Sequence, residues 1–122
     1  MRIIRKEEIS GPFRASLGEV IYEMIGRPEK VGGTALHSFA YIVILPEFSS
    51  QAHYHKISEE TYYILKGKAR MIIDSNEFTL SPGQACFIAP SEVHQIFNDE
   101  KEDLEFLAVC APAWTPNDSF DA

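Results

Sequence analysis

Residues 53–67 read HYHKISEETYYILKG, and two patterns overlap in them. Thr61 to Lys66 is dominated by aromatic and branched residues and stops at Gly67, the pattern of a short strand closed by a turn. Ahead of it, His53 and His55 stand two apart, and alternate residues of an extended chain project from one face. If Glu60 opens a strand antiparallel to the one carrying the histidines, its carboxylate comes within reach of both imidazoles. Three metal-binding side chains then meet at one point.

Runs of the same kind lie on either side: EVIYEMI, FAYIVIL, ARMIID, EFTL, QACFIAP, VHQIFN and LEFLAVC. Gly and Pro punctuate them at Gly11-Pro12, Gly26, Pro28, Gly32-Gly33, Pro46, Pro82-Gly83, Pro90, Pro112 and Pro116. No run carries a sustained helical stripe, so no crossover helix is available to build a parallel sheet. The fold class expected is all-β, an antiparallel sandwich or barrel. Between ARMII and EFTL, Asp74-Ser75-Asn76 suits a hairpin turn, with Asn76 the residue expected at positive φ.

A chain of 122 residues has room for one domain, 1–122, and is long enough to bury a core without disulfides. The regular patterning places the core barrel at about residues 34–111, with an N-terminal arm 1–33 and a C-terminal tail 112–122. Such arms cover the open ends of a small barrel or a partner subunit. Cys86 and Cys110 form no CxxC pairing and read as buried small apolar residues.

The composition, 45% hydrophobic and 24% charged, is that of a soluble globular chain. No apolar run approaches the roughly 18 residues that span a bilayer, and the N-terminus does not read as a secretory signal. A cytoplasmic location is therefore expected. The net charge is -7 with a pI near 5.0 and no Lys/Arg cluster, which argues against nucleic acid and membrane surfaces as partners.

A fourth donor is His94, where alternation puts Glu92, His94, Ile96 and Asn98 on one face. Three neutral imidazoles and a carboxylate suit one divalent transition metal, Fe, Mn, Ni, Cu or Zn, and leave an octahedral ion two open positions. Water or a small-molecule ligand would bind there. Glu59 is the neighbouring alternative to Glu60, but the six-residue step to Gly67 favours Glu60.

These residues resemble the cupin superfamily, whose first motif runs Gly, five residues, HxH, three or four residues, Glu, six residues, Gly. His53-x-His55-x4-Glu60-x6-Gly67 matches the second half of that motif. The second motif, Gly, five residues, PxG, two residues, His, three residues, Asn, is similar to the frame of Gly83, Pro90, His94 and Asn98. Glu47 departs from the first motif and Ala89 and Ser91 from the second, and Glu47 and Ser91 stand where the motifs have glycine, so the loops there are expected to take another shape.

The resemblance implies a double-stranded β-helix, or jelly-roll barrel, with His53, His55, Glu60 and His94 holding the metal. It also implies pairing of the small barrel as a homodimer. Cupins that look like this one include dioxygenases, decarboxylases and isomerases, beside non-catalytic modules that bind or sense small ligands or metals.

The candidates for a general acid or base are Glu59, Glu92, Tyr62 and His37. Tyr62 shares a face with Glu60 and reads first as core, second as cavity wall, and His37 reads as an exposed or hydrogen-bonded residue. Gln51 points the same way as His53 and could orient a ligand. Trp114 reads as cover for apolar surface near the C-terminus, with capping of the barrel mouth the other reading.

Overall fold

The computed structural model describes the whole chain, Met1–Ala122. Eleven strands follow one another: β1 (Phe13–Arg14), β2 (Glu19–Ile25), β3 (Ser38–Ile44), β4 (His53–Tyr54), β5 (Glu59–Lys66), β6 (Ala69–Ile73), β7 (Asn76–Leu80), β8 (Ala85–Ile88), β9 (His94–Phe97), β10 (Leu104–Ala111) and β11 (Phe120–Asp121). The only helical segments are three single 3-10 turns, so the class is all-β.

The strands form two antiparallel sheets, one ordered β1-β2-β3-β10-β5-β8 and the other β11-β4-β9-β6-β7. Each sheet takes strands from both halves of the chain, as in the double-stranded β-helix. The inward rows of β3, β5, β6, β8, β9 and β10 make one core, in which Ile44, Ile64, Leu104 and Phe106 are fully buried. Burial of each such side chain contributes about 1.5–3 kcal/mol.

Residues 1–33 are not uniformly an arm. Glu19–Ile25 is a full strand paired with β3, from Glu19 opposite Ile44 to Ile25 opposite Phe39. Its alternating apolar residues need a sheet face to cover them, and β3 supplies the edge.

The hairpin between β6 and β7 differs from expectation in one detail. Asp74, at φ 55°, is its left-handed residue, and Asn76 already pairs with Ile73 in the ladder. Asp74 also exchanges backbone and side-chain hydrogen bonds with Val93, which ties the turn to the residue before His94.

Glu47 and Ser91 carry a second correction. Both lie at positive φ, 69° and 70°, so the backbone keeps a glycine-like conformation although glycine is absent. These two residues bear the strain of a left-handed backbone. At Gly67, by contrast, a Cβ would stand 3.1 Å from the Asp103 carbonyl oxygen and 3.2 Å from Leu104 Cα, with φ at 90°. Only glycine suits that turn, where β5 hands over to β6 beneath the start of β10.

Cys110 is buried and Cys86 half-buried against the core, both as free thiols. No helix is long and apolar enough to cross a membrane.

Candidate metal centre

His53 and His94 face each other directly across the β4–β9 ladder. Their ring centroids are 4.2 Å apart. His55 follows β4, and Glu60, the second residue of β5, reaches in from the other sheet. One donor atom from each of the four side chains falls within 4.8 Å of the others. His55, Glu60 and His94 are buried, and His53 is half-buried at the cavity side.

The outer nitrogen of every ring is already engaged. His53 Nδ1 lies 2.8 Å from the Gln51 carbonyl, His55 Nδ1 2.8 Å from the Asp118 carbonyl, and His94 Nδ1 3.0 Å from the Glu92 carbonyl. A carbonyl can only accept, so each Nδ1 carries a proton, and in its neutral form each ring turns an Nε2 lone pair inward.

The inner atoms are left without partners. His55 Nε2, Glu60 Oε1 and His94 Nε2 are buried and make no hydrogen bond, with Glu60 Oε1 3.4 Å from the first nitrogen and 3.2 Å from the second. Buried polar groups are ordinarily paired, and an isolated set of acceptors is costly. What fits between them is positive charge, a proton or a cation. The nitrogen and carboxylate donors are those that first-row divalent metals take.

The protonation states of His53 and Glu60 point the same way. Burial and the neighbouring His94 push His53 down to about 4. Burial alone would raise Glu60, but the His55 and His94 side chains hold it down to about 2. Burial works against a charged His55 as well, and the Glu60 carboxylate outweighs it and raises its pKa. A neutral His53 and an ionised Glu60 are the forms that bind a metal.

A cavity of about 1010 Å³ opens onto the cluster, with His53, His55, Glu60 and Tyr62 in its wall. It is large enough for a small metabolite.

A cupin-domain family model, Cupin_2, matches residues 40–110. The chain belongs to the cupin family. The oxalate-binding protein of Thermotoga maritima is 32% identical over 111 residues, which cover 88% of this cupin and 91% of that protein. The crystal structure of a predicted oxalate decarboxylase from Thermotoga maritima superposes with a TM-score of 0.79 at 28% identity, covering 91% of this chain and 99% of that one. The glucose-6-phosphate isomerase of Thermococcus gammatolerans is 30% identical over 105 residues, 74% of this chain but 54% of that enzyme. The cupin therefore spans about half the length of the isomerase.

Of the four acid-base candidates read from the sequence, Tyr62 alone lines the cavity, and it does so while packed in the core at 2% exposure. Glu59 and His37 are exposed, and Glu92 turns back to accept from the Ala89 amide at 2.7 Å. Gln51 acts through its backbone carbonyl on His53, although it also borders the cavity. Trp114, 43% exposed, stands in the cavity wall. Asn98 is spent on structure, donating to the Ile44 and Glu102 carbonyls at 2.9 and 2.7 Å.

Two carboxylic acids of the cupin escaped the sequence reading. Glu19 and Glu23 of β2 both line the cavity. Glu19 is 8% exposed and has no ion-pair or hydrogen-bond partner for its side chain. Burial, and then the charge of Glu60, push it up to about 7, and burial also raises Glu23. The signal was the alternation Glu19-x-Ile21-x-Glu23 inside EVIYEMI, which puts both acids on one face of a strand.

Proposed function

We propose that this cupin binds one divalent transition metal through His53, His55, Glu60 and His94 and acts as a metal-dependent enzyme on a small oxygen-bearing metabolite. The observation that carries the reading is the buried set His55 Nε2, Glu60 Oε1 and His94 Nε2, three acceptors aimed at one point with no donor among them. When bound, the metal supplies a Lewis acid that holds and polarises an oxygen of the ligand.

The chain's own residues define the rest of the chemistry. Glu19 faces the same cavity with a carboxyl pushed up to about 7, in the range where one group can both give and take a proton. A proton-transfer reaction on a carboxylic acid or sugar, of the decarboxylase or isomerase type, uses such a group. Ile21, Ala40 and Ile42 add apolar side chains to the wall of the same cavity. The similarity to an oxalate-binding protein and to part of a glucose-6-phosphate isomerase falls within the same ligand chemistry.

A second reading, a cupin that binds a small ligand without transforming it, is favoured by the relative named as an oxalate-binding protein, which matches over most of both chains. Homodimerisation accompanies either function. Tyr63, Leu65, Phe87 and Val109 are exposed on the outer face of β5, β8 and β10, an apolar strip in which Thr61 pairs with both Phe87 and Val109.

The test is elemental analysis of protein purified without chelator or metal-affinity carryover, with His94→Ala beside it. About one equivalent of Fe, Mn, Ni, Cu or Zn, lost in the variant, supports the metal site. No metal in either protein sinks it. Turnover of oxalate, keto acids or sugar phosphates by the loaded protein, abolished in Glu19→Gln, separates the enzyme from the binder.

A further inference from the structure

We infer that Asp118 is a positioning residue for the metal centre, and that docking of the C-terminal tail and closure of the centre are one coupled event. The inference rests on the metal reading above and concerns a residue some sixty positions away from the ligands it serves.

Asp118 is 6% exposed, in the turn Pro116–Asp118 of the tail. Its carbonyl accepts from His55 Nδ1 at 2.8 Å, which orients that ring. Its Oδ1 accepts from the amides of Lys56 at 2.9 Å and Ile57 at 3.1 Å. Its Oδ2 accepts from Ile57 at 3.2 Å and Ser58 at 3.0 Å. These three residues are the link from His55 to Glu59-Glu60. One side chain therefore sets the path of the chain between two ligands, and its own backbone fixes the first of them.

The remainder of the tail grips the same region. Phe120 stacks on Tyr54 with ring centroids 5.3 Å apart. Asp121 pairs with His53 across β11 and β4. Ser58 Oγ donates to the Pro112 carbonyl at 2.8 Å. A carboxylate that accepts several amide hydrogens makes stronger bonds than a neutral acceptor, so the geometry is held firmly.

A plain loop staple would stabilise the fold without altering how the folded protein binds metal. A positioning residue does both, and linkage makes the effect reciprocal: if a docked tail raises metal affinity, bound metal tightens the tail by the same factor. Partners that orient a metal ligand cost about 10–100-fold in affinity when removed.

The experiment is titration of chelator-stripped protein with Co²⁺, followed by visible absorption, for the wild type and Asp118→Asn, with the fold of each metal-free protein checked by circular dichroism. The variant keeps the backbone carbonyl and one acceptor oxygen, but removes the charge and turns an NH2 group toward amide hydrogens that the second oxygen accepted. We expect a Co²⁺ dissociation constant raised about 10-fold or more. In the wild type Co²⁺ should also slow hydrogen exchange at the Lys56, Ile57 and Ser58 amides, and not in the variant. If Asp118→Asn does not fold, Asp118→Glu, which keeps the charge one methylene away, takes its place with a smaller loss. Equal dissociation constants in folded variant and wild type overturn the inference. A wild type that takes up no cobalt overturns the metal reading itself, and the inference with it.

Discussion

Glu60 Oε1 lies 3.2 Å from His94 Nε2, and neither atom has a hydrogen-bond partner. The Nδ1 proton of His94 is engaged by the Glu92 carbonyl, so a neutral His94 ring turns its Nε2 lone pair toward the carboxylate. Glu60→Gln preserves shape and puts an amide where a charge stood. Divalent metal affinity should fall more than about 100-fold, beyond the loss expected for an orienting partner, while the metal-free variant keeps its far-ultraviolet spectrum. Calorimetric titration with Zn²⁺ checks it, and full affinity in the variant removes Glu60 from the ligand set.

Glu19 predicts a pH dependence for the metal-free protein. Its folded pKa is about 7 against 4.5 for the free side chain, because burial and Glu60 disfavour its charge. The folded state therefore holds the proton more tightly than the unfolded chain. That contribution is complete below pH 4.5 and is lost as pH rises through 7, at most on the order of 3 kcal/mol. Urea denaturation in the presence of chelator should show stability declining over this window in the wild type and a flatter profile in Glu19→Gln. Parallel profiles would show that Glu19 titrates alike in both states.

Glu47 and Ser91 hold left-handed backbone at a cost that glycine would not bear. Glu47→Gly and Ser91→Gly should each stabilise the protein by about 0.5–1 kcal/mol, the relieved strain slightly exceeding the added freedom of the unfolded chain. The denaturant midpoint at constant slope measures it. A lower midpoint would mean that the side chains contribute more than their strain removes.

The strip containing Phe87, 58% exposed, predicts a dimer that a single charge disrupts. Light scattering should give twice the chain mass for the wild type and the monomer mass for Phe87→Glu, with the metal content of the variant unchanged. A monomeric wild type ends the dimer proposal.

Much of this protein can be read along the chain because strands carry their own period. Alternation in VHQIFN aims His94, Ile96 and Asn98 inward, and the structure buries all three. HxH with Glu60 and Gly67 in step names the cluster, and the family resemblance follows from the same spacing. Turn details were less legible, since Asp74 takes the left-handed position expected of Asn76 and Glu47 keeps a conformation its type disfavours. At Asp74 the paired strands β6 and β7 dictate the backbone and the local preference yields.

By itself the sequence determined the all-β class, the inward rows and the four side chains that meet, because these depend on a two-residue period and short spacings. Only the tertiary structure decided which other groups share their cavity. Glu19 becomes a buried acid because β2 packs beside β3, and Asp118 meets His55 and the amides after it because the tail returns across β4. Neither role has a local signature. A carboxylate's chemistry is set by what surrounds it, and in these two cases the surroundings come from segments far away in the chain.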